Sequence, residues 1–296
     1  MTTSTQPAAT TPQRLHQATR LGHVHYTTAD LERQIAFYQD VLGFELHWRE
    51  GDAAGLGAGG ADMLRLTQVP GARRVGGTTG LYHTAFLVPT RWDLAQLLKS
   101  IAVTRTRIQG MSNHGTHYAI YLPDAEGNGI ELAWDFPQER WPKTAEEMLR
   151  NNRGLSPEEV FSALADSDAP WEGLDARTKV GHVHLHVAHL PPTEQFYHRV
   201  LGFDIPFDLP GAQAIFFSAG GYHHHIGTNL WQGESAPPPP ADAIGLRYFT
   251  VVLPDEAERE RVVARVQDAG IATEPVADGI LLRDPAQNGI VLAVEP

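Results

Sequence analysis

Cysteine is absent from this 296-residue chain, which removes disulfides, zinc–thiolate sites, iron–sulfur clusters and thiol nucleophiles from consideration. No apolar run approaches the roughly 18 residues that a membrane-spanning helix needs, so no membrane partner is expected. Positive charge is scarce: 23 Lys and Arg stand against 35 Asp and Glu, and no basic cluster stands out. The resulting net charge of −12 argues against nucleic acid or an anionic lipid surface as a partner. The opening MTTSTQPAATTPQ carries neither a basic nor an apolar stretch. It is therefore not read as a secretory signal, and residues 1–19 are expected to be a disordered tail. Together these absences suit a cytoplasmic protein. With 42% hydrophobic and 20% charged residues, a globular core is expected rather than disorder. What the chain has in excess is histidine: 15, eight of them between His182 and His225. Histidine is the commonest metal-ligand side chain.

The chain repeats itself. Gly22–Phe44 and Gly181–Phe203 match at 12 of 23 positions without a gap, at an offset of 159. GLYHTAFLVP from Gly80 then matches GLRYFTVVLP from Gly245, and DAEGNGIELA from Asp124 matches DPAQNGIVLA from Asp284. Three collinear matches mean an internal duplication, and the period is too long for a solenoid.

Each half has the same local pattern. Alternating runs such as HVHYT and HVHLHV predict strands with one buried face. Leu31, Ile35, Tyr38 and Leu42 form one apolar helical stripe that Gly43 ends. A second strand and helix follow, with Thr90 as N-cap and Leu94, Leu97, Leu98 and Ile101 as the stripe. Short strands close each unit. The expected fold class is α+β, with four tandem βαβββ modules in two domains, residues 20–135 and 179–296. Residues 136–178 read as a polar helical connector, and Pro237–Pro240 as a stiff loop.

Four such modules, with FYQDVLGF after an HV strand and NGIEL as an end strand, resemble the vicinal oxygen chelate superfamily. That group includes glyoxalase I, bleomycin-binding proteins and type I extradiol dioxygenases. GLYHTAFLVPTR, YLPDAEGNGIEL, GHVHLHV and YHHHIGTNLW together are most similar to the small two-domain catechol 2,3-dioxygenases. The resemblance implies that paired modules curl into half-open barrels with a metal inside the cup. It implies Fe(II), with Mn(II) as the other candidate, held by two histidines and one carboxylate. Carried over position by position, these ligands fall on His23, His83 and Glu131. The equivalents in the second half are His182, Tyr248 and Val291, so only the histidine survives there. The resemblance also places an active-site Tyr ten residues before the Glu, at Tyr121, and an acid/base histidine at His114, with His117 as the neighbouring candidate.

The implied activity is extradiol cleavage of a small aromatic diol by dioxygen. A glyoxalase-type isomerase or lyase and a non-enzymatic small-molecule or metal-binding protein are the alternatives. Met63, Leu64 and Arg65 offer no second glutamate of the kind the isomerase requires. His182, His184 and His186 share one strand face. With His223, His224 and His225 they read as a hydrogen-bonded structural cluster, with a second metal site, or the true one, as the competing reading. Trp48, Phe86, Trp134 and Phe136 are candidates for an aromatic cup lining. A homo-oligomer is the expected assembly.

Overall fold

The computed structural model describes residues 13–295, so most of the expected tail, residues 1–12, lies outside the described residues. The part that is described is packed rather than loose. The Leu15 side chain is buried and its N–H donates to the Gly202 carbonyl at 2.9 Å. Arg14 reaches His198 at 2.9 Å and Asp204 at 3.0 Å. One buried leucine and one partnered arginine offset the entropy of ordering a short segment.

The four modules form as the patterning predicts. The first runs through β1 (Arg20–Thr28), α1 (Leu31–Asp40), β2 (Glu45–Glu50), β3 (Ala53–Gly57) and β4 (Asp62–Gln68). The second runs through β5 (Gly80–Leu87), α2 (Arg91–Val103), β6 (Gly110–Asn113), β7 (His117–Pro123) and β8 (Gly129–Asp135). In the connector, α3 (Ala145–Asn151), β9 (Arg153–Gly154) and α4 (Pro157–Phe161) follow. The third module holds β10 (Lys179–His186), α5 (Leu190–Glu194), β11 (Asp204–Leu209), β12 (Ala214–Ser218) and β13 (Ile226–Asn229). The fourth holds β14 (Gly245–Leu253), α6 (Glu256–Asp268), β15 (Glu274–Val276), β16 (Gly279–Arg283) and β17 (Gly289–Val294). No helix among the described residues is long and apolar enough to cross a membrane.

Local chemistry sets the helix ends. Asp30 accepts from the Arg33 N–H, and Thr90 forms a reciprocal capping box with Asp93. Gly43 ends α1 at φ +71°, a left-handed conformation that a side chain disfavours. Two repeated turns fix the start of each end strand. Asp124 accepts from the backbone N–H groups of Glu126 and Asn128, and Asp284 from those of Ala286 and Asn288. The connector is only partly helical: β9 pairs with β6 and lengthens a sheet edge.

The sheets show how the modules pair. One eight-stranded sheet runs β15-β16-β17-β14-β1-β4-β3-β2, and one nine-stranded sheet runs β11-β12-β13-β10-β5-β8-β7-β6-β9. The pairing is nested. The second and third modules join through antiparallel β5 and β10 to make an inner cup, and the first and fourth join through β1 and β14 to make an outer cup. Residues 20–135 therefore do not close a cup of their own. Each half of the sequence gives one module to each sheet. The Tyr26 hydroxyl donates to Thr84 Oγ1 at 2.6 Å, joining the two sheets through a buried contact. All four modules share one pattern, so periodicity alone gives no rule for which pair closes.

Candidate metal centre

In each module the first strand lies parallel to the last, and the same two positions face the cup centre. On the first strands these are His23, His83, His182 and Tyr248. On the last strands they are Arg65, Glu131, Gly227 and Val291, set by the registers His25↔Arg65, Ala85↔Glu131, His184↔Gly227 and Thr250↔Val291. The inner cup thus gathers His83, Glu131 and His182. Ala85 lies opposite both His182 on β10 and Glu131 on β8, and its small side chain leaves the floor between them clear.

The three donors converge. Glu131 Oε2 lies 3.0 Å from His83 Nε2 and 3.3 Å from His182 Nε2, and the two imidazole nitrogens are 3.2 Å apart. Donors bound at about 2.1 Å and at right angles to one another sit about 3 Å apart, so this set fits one divalent metal on one face. All three side chains are buried. Burial alone would raise the Glu131 carboxyl, but the imidazoles of His182 and His117 overcome it and hold the group well below its usual range. Ligation needs that charged form.

His23 does not join this group. It belongs to the outer sheet, where its Nε2 lies 3.6 Å from Asp278 Oδ2 and its ring packs edge-on against Tyr248. Of the three residues expected as ligands, His83 and Glu131 come together and His23 does not; His182 stands beside them instead. The physical reason is the nested pairing, which puts β10 rather than β1 beside β5. Three alternating histidines on β10 were the available signal.

His114 and Tyr121 do come together, with His114 Nε2 and the Tyr121 hydroxyl sharing a 2.7 Å hydrogen bond. Burial, with repulsion from His117, brings the His114 imidazole down to about 3, so the ring is neutral. Burial and the nearby Glu131 push the Tyr121 phenol well up, so it keeps its proton. His117 plays another part. Its Nε2–H donates to Glu131 Oε1 at 2.8 Å while Nδ1 meets Thr116 Oγ1 at 2.7 Å, which fixes the carboxylate that faces His83 and His182. Burial opposes charge on His117, but Glu131 outweighs it and raises the group.

The histidine-rich third module supplies the rest of the wall, and most of it is the hydrogen-bonded cluster expected. His223 Nε2–H donates to Asp135 Oδ1 at 3.0 Å, and His186 pairs with Asn229 at 2.7 Å. His117, Asp135 and His223 have ligand atoms within 4.8 Å of one another, but the two rings are stacked at 15°. Lone pairs lie in the ring planes, and nearly parallel planes do not converge on one ion. His224 is buried with its ring centroid 4.0 Å from that of His182. His184 is buried too, with Nε2 unpartnered, and its ring lies 5.1 Å from that of His83. A Cβ at position 227 would come within 3.0 Å of the His184 ring, so Gly227 makes room for it.

Of the expected aromatic lining, Phe86 is fully buried and packs on Phe44, Trp48 bonds Asp62 in the outer cup, and Trp134 packs with Tyr118 and Phe136. Two aromatic rings that the patterning did not single out, Tyr82 and Trp231, stand beside His83 and His184. A bulge between His83 and Leu81 leaves Tyr82 unpaired and re-aims it. Its ring stands 4.9 Å from that of His83 and 5.1 Å from Trp231, and both rings stay partly open to solvent.

With this architecture in view, the chain belongs to the Glyoxalase/Bleomycin resistance protein/Dioxygenase superfamily, whose signature matches residues 20–132 and 179–291. It is 36% identical over 284 residues to the catechol-2,3-dioxygenase of Bacillus subtilis (strain 168), covering 95% of this chain and 99% of that protein. Among solved structures it is similar to a Bacillus subtilis chain with a TM-score of 0.66 at 14% identity, covering 96% of this chain and 87% of that one. It is also similar to glyoxalase I of Zea mays, with a TM-score of 0.57 at 16% identity, covering 93% and 92%. Both structural likenesses speak for the fold.

Proposed function

We propose that the inner cup is the site of a non-haem Fe(II)-dependent extradiol dioxygenase acting on catechol-type diols with dioxygen. The observation that carries this reading is the convergence of His83, His182 and Glu131 within 3.0–3.3 Å. Iron bound there would supply a redox-active centre with open positions for the diol and dioxygen. The same donors also suit Mn(II). The 36% identity to a catechol-2,3-dioxygenase supports the reaction class.

The chain's own residues divide the remaining work. The neutral imidazole of His114, hydrogen-bonded to the Tyr121 hydroxyl, would orient the diol hydroxyl and relay its proton without keeping it, because burial lowers the ring's basicity. Tyr121, protonated through the working pH range, serves as a hydrogen-bond donor rather than a negative charge. His117 keeps Glu131 oriented and charged. Tyr82 and Trp231 offer apolar faces to a planar ring at the entrance. Gly227 stands at the last-strand position that matches Glu131, so the inner cup lacks the second glutamate of a glyoxalase-type isomerase.

Anaerobic loading with Fe(II), followed by a panel of catechols and air, tests the proposal. A yellow ring-fission product and matching oxygen uptake are expected, and His182→Ala abolishes both. An iron-replete protein that consumes no oxygen with any diol of the panel overturns it.

A further inference from the structure

The outer cup has lost the residues that would hold a metal, yet it is not packed shut. A cavity of about 730 Å³ opens on it, lined by Tyr248 and Leu281, which stand where His83 and Tyr121 stand in the inner cup. Outside that lining, the Tyr248 hydroxyl is tied back, donating to Asp278 at 2.8 Å, and Arg65 grips the same carboxylate at 2.7 and 2.8 Å. The opposite wall is the proline run Pro238–Pro240. That run is pinned at both ends, since the Thr79 N–H donates to the Pro237 carbonyl at 2.9 Å and the Ile244 N–H to the Arg73 carbonyl at 3.0 Å. A polyproline wall has little freedom left to lose, so the cavity is preformed.

Its charge is the reverse of the whole chain's. Arg74, Arg247 and Arg283 line the cavity against one carboxylate, Glu274, in a protein of net charge −12. Arg74 and Arg283 each give one nitrogen to a backbone carbonyl, at 3.3 and 3.1 Å, and none of the three has an ion-pair partner among the described residues. Arg247 is the unpaired residue of the β1–β14 bulge, the position that Tyr82 holds in the inner cup. Leu246, Val276 and Leu281 give the same cavity an apolar side.

We propose that the outer cup is a second ligand-binding site, for a small organic carboxylate with a flat or apolar body. The guanidinium groups at the mouth hold the carboxylate, and the leucines, the valine and Tyr248 cover the body. The cavity also reaches Leu81, His186 and Gln232 of the inner sheet, but none of His83, Glu131 and His182 lines it, so the proposal stands whether or not the inner cup cleaves diols.

Calorimetric titration of the full chain with benzoate tests it. Saturable binding at one site is expected. Arg247→Glu combined with Arg283→Glu weakens it at least about tenfold, and the neutral isostere benzamide binds at least about tenfold more weakly than benzoate. Arg247→Lys combined with Arg283→Lys retains binding, and Glu131→Gln leaves it unchanged. An unchanged far-UV spectrum of the charge-reversed protein separates lost binding from lost folding. Absence of saturation below about 10 mM overturns the proposal, as does indifference to charge reversal. Loss of binding in Glu131→Gln also overturns it, because benzoate then sits in the inner cup.

Discussion

The inner and outer cups share one plan and differ at the positions that face their centres. The inner cup presents His83 and His182 from its first strands with Glu131 and Gly227 from its last. The outer cup presents His23 and Tyr248 with Arg65 and Val291. Two imidazoles and a buried carboxylate make a candidate cation site. In the outer cup valine stands in the carboxylate's place and arginine in glycine's, so a fixed positive charge replaces the negative one, and Arg65 consumes both Asp62 and Asp278. Glycine at position 227 leaves room for the His184 ring, whereas Arg65 stands at the matching position of the outer cup. The scaffold is shared, and a few inward positions decide which cup gathers metal-type donors.

The sharpest way to break the comparison is to remove an inner ligand. Glu131→Ala or His182→Ala is expected to lower ring-cleavage turnover by at least about a thousandfold and to leave substoichiometric metal, read by elemental analysis and oxygen uptake. Next comes importing the outer cup's residue. Gly227→Arg is expected to cut turnover about a hundredfold and to cost about 1–3 kcal/mol through overpacking against His184, measured by urea denaturation. Tyr121→Phe removes the hydroxyl partner of His114 and nothing else. A loss of about tenfold in turnover is expected with metal content unchanged, and unchanged turnover would detach the pair from the chemistry.

Acid stability sharpens the comparison in another way. His114 and His225 beside the inner cup, and His25 in the outer one, are each brought down to about 3, in every case chiefly by burial. Unfolded, they titrate near 6.5, so between 6.5 and about 3 the unfolded chain binds protons that the folded chain refuses. Stability of the metal-free protein is therefore full above that window and falls as pH drops through it, by up to about 1.4 kcal/mol per pH unit for each such histidine. Denaturation midpoints at pH 7 and 5 check the sign, and His25→Gln is expected to reduce the slope less than a change at His114 and His225 together. The smallest effect belongs to His23→Ala, which is expected to leave turnover and metal content within about twofold. A large loss there would return the metal to the outer cup.

Much of the fold was legible because it rests on short-range rules. The stripe of Leu31, Ile35 and Tyr38, the Thr90 cap and the left-handed Gly43 are properties of neighbouring residues. So was most of the candidate site, since His83, Glu131, Tyr121 and His114, which the structure brings together, lie within one module and the duplication gave their positions a reference. Tyr82 was not legible, because a bulge that turns one residue out of register leaves no mark in the alternation. The packing of Arg14 and Leu15 escaped for a related reason, since their partners are nearly 190 residues away.

By itself the sequence determined the four modules, their elements and the presence of histidine and carboxylate at inward strand positions, because periodicity and turn chemistry act over a few residues. Only the tertiary structure decided that the second module closes on the third and the first on the fourth. Strand partners with the same pattern are equivalent until long-range packing chooses between them. That choice made His182, and not His23, the companion of His83 and Glu131.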